Sequence, residues 1–332
     1  MDNTNTSINS ALNNILKKES PNPVPPPVKT TDYQRQDRIV RNSLKALGVG
    51  IILVLITLLV LLFSKSIPVI MEVGSSFITS SWWNPIDDEF GALSFAYGTL
   101  LTSFVALLLA APVSIGVAVF ITEVLPEKLS KVLGLFVEMI AAVPSIVFGL
   151  WGIFSLAPWI KEDLTPILKS SLGFLPFFQG PSFGLGQLTA SLILAIMIVP
   201  TITSICREVF KTVPQYQKEA ALALGATRFE MIKLSILKPS FSGMMGGIVL
   251  GLGRALGETM AVAMVIGNSA SINLSLFAPG ATMASVIANE YAEAESDLHL
   301  SALCMVAVLL FAVTLGVNIF ARYIVWKSKK VK

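Results

Sequence analysis

The chain has 332 residues, of which 54% are hydrophobic and only 14% charged, and its formal net charge is +3. A soluble domain of this length cannot bury so much apolar surface in one core, so the composition indicates a protein embedded in lipid. So small a net charge indicates no nucleic-acid partner.

The first 38 residues predict a disordered tail. They are rich in Ser, Thr and Asn, carry five prolines within residues 21–27, and lack the apolar residues that would offset the entropy of ordering. The apolar stretch from Ala46 to Phe63 follows this long polar tail, which is the wrong layout for a cleaved signal peptide. We therefore expect residues 39–95 to hold a retained anchor helix and an external loop.

Six windows of about 20 apolar residues are long enough to cross a bilayer as helices. They lie at residues 46–66, 97–121, 132–156, 186–206, 241–266 and 301–324. The predicted fold class is therefore an all-α membrane protein with six transmembrane helices. Residues 96–326 form its main transmembrane domain, and residues 327–332 a basic cytoplasmic tail.

The distribution of Lys and Arg predicts the orientation. Twenty of them lie on one side of the six windows, and three, Lys65, Lys161 and Lys169, lie on the other. Because cytoplasmic loops carry the excess of Lys and Arg, both termini and the 207–240 loop are predicted to be cytoplasmic. The expected location is the inner (plasma) membrane, crossed several times and in contact with lipid.

Three residues on the predicted external side and one carboxylate inside a predicted span are candidates for a functional role. Trp82 and Trp83 stand beside acidic residues, which suits anchoring at the lipid headgroups. His299 lies in an acidic external loop and is interpreted as solvated surface. Glu138, near the cytoplasmic end of the third window, either lines a path or reaches the headgroups or a neighbouring helix.

The 207–240 loop has the pattern of a helix, a turn and a second helix. Strong helix formers run from Lys218 to Leu224, Gly225 suits the left-handed turn that ends a helix, and Thr227 with Glu230 forms a capping box. A rigid elbow of this kind fits a groove on another protein and can transmit force to the spans on either side.

This elbow resembles the Glu-Ala-Ala loop of ABC-importer permeases. Glu219, Ala220, Ala221 and Gly225 match that pattern in register, whereas Pro239 stands one position later than in the family. The resemblance implies that the loop is the coupling helix between spans 4 and 5 and that it contacts an ATPase subunit.

The fifth window carries two charges, Arg254 and Glu258. Arg254 lies about 20 Å along a helix counted from Phe241, near the middle of a bilayer, where a charge costs roughly 2.5–3.5 kcal/mol. Because the two residues are four apart, we expect them to pair on one helix face. Either they form a structural ion pair, or Arg254 faces a polar path where its planar guanidinium binds an anion.

Small residues form a ridge on the same window. They recur every four residues and predict close packing against a neighbouring helix. The ridge consists of Gly243, Gly247, Gly251 and Ala255.

Two stretches resemble the PstC-type permeases of phosphate ABC importers: Gly-Arg-Ala-Leu-Gly-Glu-Thr-Met at 253–260 and Ala-Ala-Val-Pro-Ser-Ile-Val-Phe-Gly at 141–149. The resemblance covers about 70–326. It implies the type I ABC importer permease architecture, with Arg254 and Glu258 on the translocation path of inorganic phosphate. The implied partners are a second permease subunit of PstA type, two ATPase subunits and a periplasmic phosphate-binding protein.

The sequence also bears on other function classes. The sequence lacks the Walker loop Gly-x-x-x-x-Gly-Lys-Ser/Thr and the His-Glu-x-x-His motif, so an enzyme is not indicated and ATP hydrolysis is expected in a separate subunit. No cofactor or metal site is predicted. The alternatives are a permease for another oxyanion such as sulfate or molybdate, one for an amino acid, and a stand-alone secondary carrier.

Overall fold

The computed structural model describes the backbone of residues 30–330 and the side chains of residues 37–327. Residues to Leu58 and residues from Leu59 form two compact units. Most of the predicted disordered tail lies outside the described residues, and helix α1 begins at Thr30, inside the segment assigned to that tail. The remaining domain boundaries stay predictions.

Helices account for most of the described chain. They are α1 (Thr30–Lys65), α2 (Ile67–Glu72), α3 (Ser76–Thr79), α4 (Leu93–Val124), α5 (Glu127–Ala141), α6 (Ser145–Leu172), α7 (Gln187–Lys211), α8 (Gln215–Ala223), α9 (Arg228–Leu256), α10 (Met260–Val265), α11 (Met283–Glu290) and α12 (Asp297–Lys330). Two short antiparallel strands, β1 (Trp83–Asn84) and β2 (Glu89–Phe90), precede α4, with Trp83 opposite Phe90. Single π-helical turns occur at Phe120–Val124, Gly152–Leu156, Ile160–Leu164 and Ile232–Leu237.

Five of these helices, α1, α4, α7, α9 and α12, are long and apolar enough to cross a membrane. Helices α5 and α6 make a sixth span if the bent pair is counted as one. The predicted all-α membrane fold is confirmed, but the third predicted window, 132–156, is not one continuous helix. The chain bends by 85° between α5 and α6. Pro144 explains the break, because proline disfavours helical geometry at the residue before it and donates no backbone hydrogen bond.

The fifth window is also shifted from its predicted bounds of 241–266. Helix α9 begins at Arg228, so the second helix of the elbow and the following span are one continuous helix with a π turn before Pro239. The helix ends at Leu256, and the short helix α10 begins only at Met260.

Helix α7 forms the centre of the second unit. Its apolar window is 67% buried, against 28% for α4, α9 and α12. The predicted small-residue ridge of α9 packs on it: a Cβ added at Gly243 would lie 2.6 Å from Val209, and one added at Gly251 would lie 2.7 Å from Ile202. The ridge therefore allows α9 to approach α7 closely, as predicted.

The start of α7, at the end of the molecule far from the elbow, is joined to an irregular loop by main-chain hydrogen bonds. Three successive backbone N–H groups, which have no partner within their own helix, donate to carbonyl groups of residues 265–278. The bonds run from Gly186 to Val265 (2.9 Å), from Gln187 to Ala278 (3.1 Å) and from Leu188 to Leu276 (2.8 Å). These three backbone donors at the buried beginning of α7 thus have acceptors within the protein.

Candidate functional site

Arg254 lies on α9, half-buried, with its guanidinium turned toward α7. Its Nη1 donates a hydrogen bond to the Thr201 hydroxyl at 3.1 Å. Among the side chains of residues 37–327, no carboxylate lies within 4.0 Å of Arg254. Arg254 thus lies in the last turn of α9 without a neutralising acid among these side chains.

The predicted pairing of Arg254 with Glu258 is wrong. Helix α9 ends at Leu256 and Gly257 follows it, so the spacing of four no longer places the two charges on one helix face. The Glu258 carboxylate instead accepts from the backbone N–H of Ala261 at 3.4 Å, at the start of α10. Glu258 therefore contacts the start of α10 and does not neutralise Arg254.

A cavity of about 1080 Å³ opens beside Arg254, between α9 and α12. This volume slightly exceeds the usual range for small-molecule sites, about 300–1,000 Å³. Its polar lining comprises Thr201, Ser242, Arg254, Asn318 and Arg322. The remaining lining residues are Gly246, Val249, Leu250, Gly253, Leu315, Ile319, Val325 and Trp326. Arg254 therefore reaches a space large enough for a hydrated anion.

The elbow has the predicted conformation. Helix α8 ends at Ala223, and Gly225 has a φ of 86°, the left-handed region that favours glycine. Thr227 and Glu230 form the reciprocal capping box at the start of α9. The motif residues Glu219, Ala220 and Gly225 are exposed, whereas Ala221 packs against the apolar core.

A buried ion pair joins the elbow to α4. The Lys218 Nζ lies 2.7 Å from Glu123 Oε1, and the two side chains are only 14% and 7% exposed. Lys218 immediately precedes the Glu-Ala-Ala motif, and Glu123 lies in the π turn that ends α4. Moving α8 must therefore either move the end of α4 or break this pair.

A second ion pair ties α7 to α5. The buried Arg207 guanidinium donates to Glu138, which resolves the choice for Glu138 in favour of a neighbouring helix. Gly134 makes room for this arginine, since an added Cβ would collide with Arg207 Nη1. Glu208 also contacts Arg207, at 3.4 Å.

Trp83, Glu290 and His299 form a packed cluster on the predicted external side, and the interpretation of His299 as solvated surface is wrong. His299 is only 6% exposed. Glu290 accepts from Trp83 Nε1 at 2.9 Å and lies 3.0 Å from His299 Nε2, while the Phe90 ring stacks on the imidazole. The cluster fastens the β1–β2 hairpin to α11 and α12.

Sequence reasoning missed Thr201, Glu123, Lys218 and Arg207 as contributors to these sites. Thr201 carries no charge and follows Pro200 inside an apolar span, so nothing in the pattern distinguishes it. The two charges of the elbow pair are 95 positions apart. The one available signal was that both fall in segments predicted to be cytoplasmic.

Comparison with known proteins decides the family. Residues 111–330 match the family described as the binding-protein-dependent transport system inner membrane component. The chain belongs to this family. It is thus an integral inner-membrane permease component of an ABC transporter, and not itself the catalytic enzyme.

The relatives of this permease are phosphate permeases by name. The phosphate transport system permease protein PstC of Mesorhizobium japonicum is 42% identical over 295 residues, which are 88% of this chain and 90% of the relative. The protein of the same name from Xylella fastidiosa (strain Temecula1) is 48% identical over 253 residues, 75% of this chain and 78% of the relative. The resemblance to PstC-type permeases is confirmed.

Solved structures share the fold of the permease. A bacterial ABC transporter involved in the import of alginate matches with a TM-score of 0.53 at 18% identity, covering 88% of this chain and 99% of that one. The inward-facing MetNI methionine ABC transporter matches with a TM-score of 0.50 at 17% identity, covering 70% and 93%. The predicted importer-permease architecture is thereby confirmed.

Proposed function

We propose that this permease forms the path for inorganic phosphate across the inner membrane in an ATP-driven importer. One observation carries the proposal: Arg254, in the last turn of α9, has no acid partner among the described side chains and lines a cavity. A guanidinium stays charged at physiological pH and offers two parallel donors to a phosphate oxyanion. The names of the relatives support phosphate over other oxyanions.

The same proposal extends to the assembly and its orientation. The partners are a second permease of PstA type, two ATPase subunits and a periplasmic phosphate-binding protein. Both termini are cytoplasmic, in keeping with the excess of Lys and Arg on that side.

The elbow is the proposed ATPase contact, through Glu219, Ala220, Ala221 and Gly225. Large apolar side chains around it are exposed, with Leu224 at 89% and Phe229 at 74%. Exposed apolar side chains close together on a cytoplasmic surface mark a protein contact. Helix α8 with its flanking turn is therefore suited to lie in a groove of the motor subunit.

Uptake by the reconstituted complex tests the function. With all partners and ATP in proteoliposomes, we expect labelled phosphate to accumulate and a tenfold excess of unlabelled phosphate to compete strongly. The same excess of sulfate or molybdate is expected to compete weakly. Equal competition by all three anions would assign a general oxyanion permease, and uptake by the chain without ATPase would indicate a secondary carrier.

Substitution of Gly225 by valine tests the elbow. A β-branched side chain in the left-handed region costs about 1–3 kcal/mol, so the turn between α8 and α9 should rearrange. We expect ATPase subunits to be recovered poorly in pull-downs while the chain still inserts in the membrane. Gly116→Val in α4 is the control, because an added Cβ there meets no atom within 4 Å. Equal ATPase recovery by the two variants would contradict the coupling role.

A further inference from the structure

We propose that the cavity between α9 and α12 is the cytoplasmic half of the anion path, in which Arg322 is a second anion contact and Gly246 and Gly253 set the width. The inference rests on the proposed function and extends it to residues outside the motifs. Its ligand class is a tetrahedral oxyanion with part of its hydration shell.

The cavity is lined by one continuous face of each helix. On α9 the lining residues Ser242, Gly246, Val249 and Gly253 recur at intervals of three or four, next to the ridge that packs on α7. On α12 the lining runs in the same way from Leu315 to Trp326. Arg254 lies about 18 Å along α9 from Ser242, so the cavity extends from the depth of Arg254 toward the elbow end.

The glycines of this face do not serve packing within the subunit. A Cβ added at Gly246 or at Gly253 would meet no heavy atom within 4 Å, in contrast to Gly243 and Gly251 on the ridge. Glycine inside a helix is less favourable than alanine, so its presence at these positions calls for a reason other than helix stability. At these two positions the missing side chains leave the cavity wide.

The charges of the cavity favour an anion. Arg322, which is exposed, adds a second guanidinium near the end of α12, and no carboxylate lies within 4.0 Å of it among the side chains of residues 37–327. Thr201, Ser242 and Asn318 add further polar groups to the lining. Arginines line pores that conduct anions and phosphate, and several weak sites in succession allow an ion to leave where one tight site would hold it.

Thiol labelling tests whether anions enter the cavity. In the assembled complex Ser242→Cys should react faster with an anionic methanethiosulfonate reagent than with a cationic one of similar size, and inorganic phosphate should slow the anionic reaction. The native Cys206 and Cys304 are both buried, and the parent protein measures their background. Adding Arg322→Gln should remove the preference for the anionic reagent. Absence of labelling in a complex that transports phosphate would overturn this inference and leave the proposed function standing.

Transport measurements test Arg322 and the glycines. We expect Arg322→Gln to lower phosphate uptake about tenfold, as for the loss of one charge-assisted hydrogen bond, with assembly unchanged. Lys327→Gln removes a charge from the same end of α12 outside the cavity and should leave uptake unchanged. Equal effects of the two changes would mean that Arg322 acts only as an interfacial cation.

Side chains of increasing size at Gly246 test whether the width of the cavity matters for transport. Uptake should fall from Gly246→Ala to Gly246→Leu, whereas Gly316→Leu, at an equally open position of α12 outside the lining, should have no effect. Loss of the assembled complex in the Gly246 series, even with alanine, would mean that a helix of a partner fills the cavity. If the parent complex fails to transport phosphate, the proposed function itself fails, and labelling at residue 242 still reports whether anions enter.

Discussion

Arg254→Gln is expected to abolish most phosphate uptake, by about 100-fold, while the complex still assembles. The reason is that the change removes a charge-assisted, bidentate donor worth about 3 kcal/mol to a bound oxyanion. Glutamine keeps a side-chain amide that can still meet the Thr201 hydroxyl, so the contact between α9 and α7 survives. Uptake normalised to the amount of assembled complex is the measurement.

Two companion variants give this expectation its controls. Arg254→Lys keeps the charge but not the planar fork, and it should recover only a small part of the uptake. Glu258→Gln should reduce uptake far less, because the Glu258 carboxylate contacts the start of α10 and not the arginine. Substantial uptake by Arg254→Gln would show that this guanidinium is not an anion contact.

Removing the charge of one partner of the Lys218–Glu123 pair is expected to uncouple ATP hydrolysis from transport. Glu123→Gln leaves a mostly buried ammonium without its carboxylate, which destabilises the protein by about 3 kcal/mol. With the elbow no longer fastened to α4, we expect less phosphate to be moved per ATP hydrolysed. The ratio of the two rates separates this effect from a simple loss of folded complex.

The exchanged pair, Glu123→Lys with Lys218→Glu, restores opposite charges and should recover much of that ratio. The matched control is Glu127→Gln in α5, since the Glu127–Lys131 pair has side chains 83% and 75% exposed. An exposed pair contributes at most about 1 kcal/mol, so this variant should behave as the parent protein. An unchanged ratio of phosphate to ATP in Glu123→Gln would refute a role for the pair in coupling.

The spans were predictable because hydropathy is a local property of the sequence, whereas the break of the third span was not. Three prolines fall inside the predicted spans: Pro112, Pro144 and Pro200. Helices α4 and α7 continue through Pro112 and Pro200, and only at Pro144 does the chain bend sharply. Membrane helices tolerate proline when neighbouring groups satisfy the freed backbone, and a sequence does not reveal those neighbours.

The elbow was predictable down to its caps, because a left-handed glycine and a capping box are decided by residues within one turn of each other. The Arg254–Glu258 pair was mispredicted for a related reason. Spacing of four implies proximity only on an unbroken helix, and Gly257 follows the last helical residue. The ion pairs of Lys218 and Arg207 depend on tertiary packing across 95 and 69 positions, which no local pattern encodes.

The main-chain bonds at the start of α7 have a consequence for how the subunit can bend. Displacing the 265–278 loop would strip three buried N–H groups of their acceptors, at several kcal/mol each in apolar surroundings. At the opposite end, side-chain ion pairs join α8 to α4 and α7 to α5. We therefore expect the loop to keep its place on α7 when the elbow end of the subunit moves.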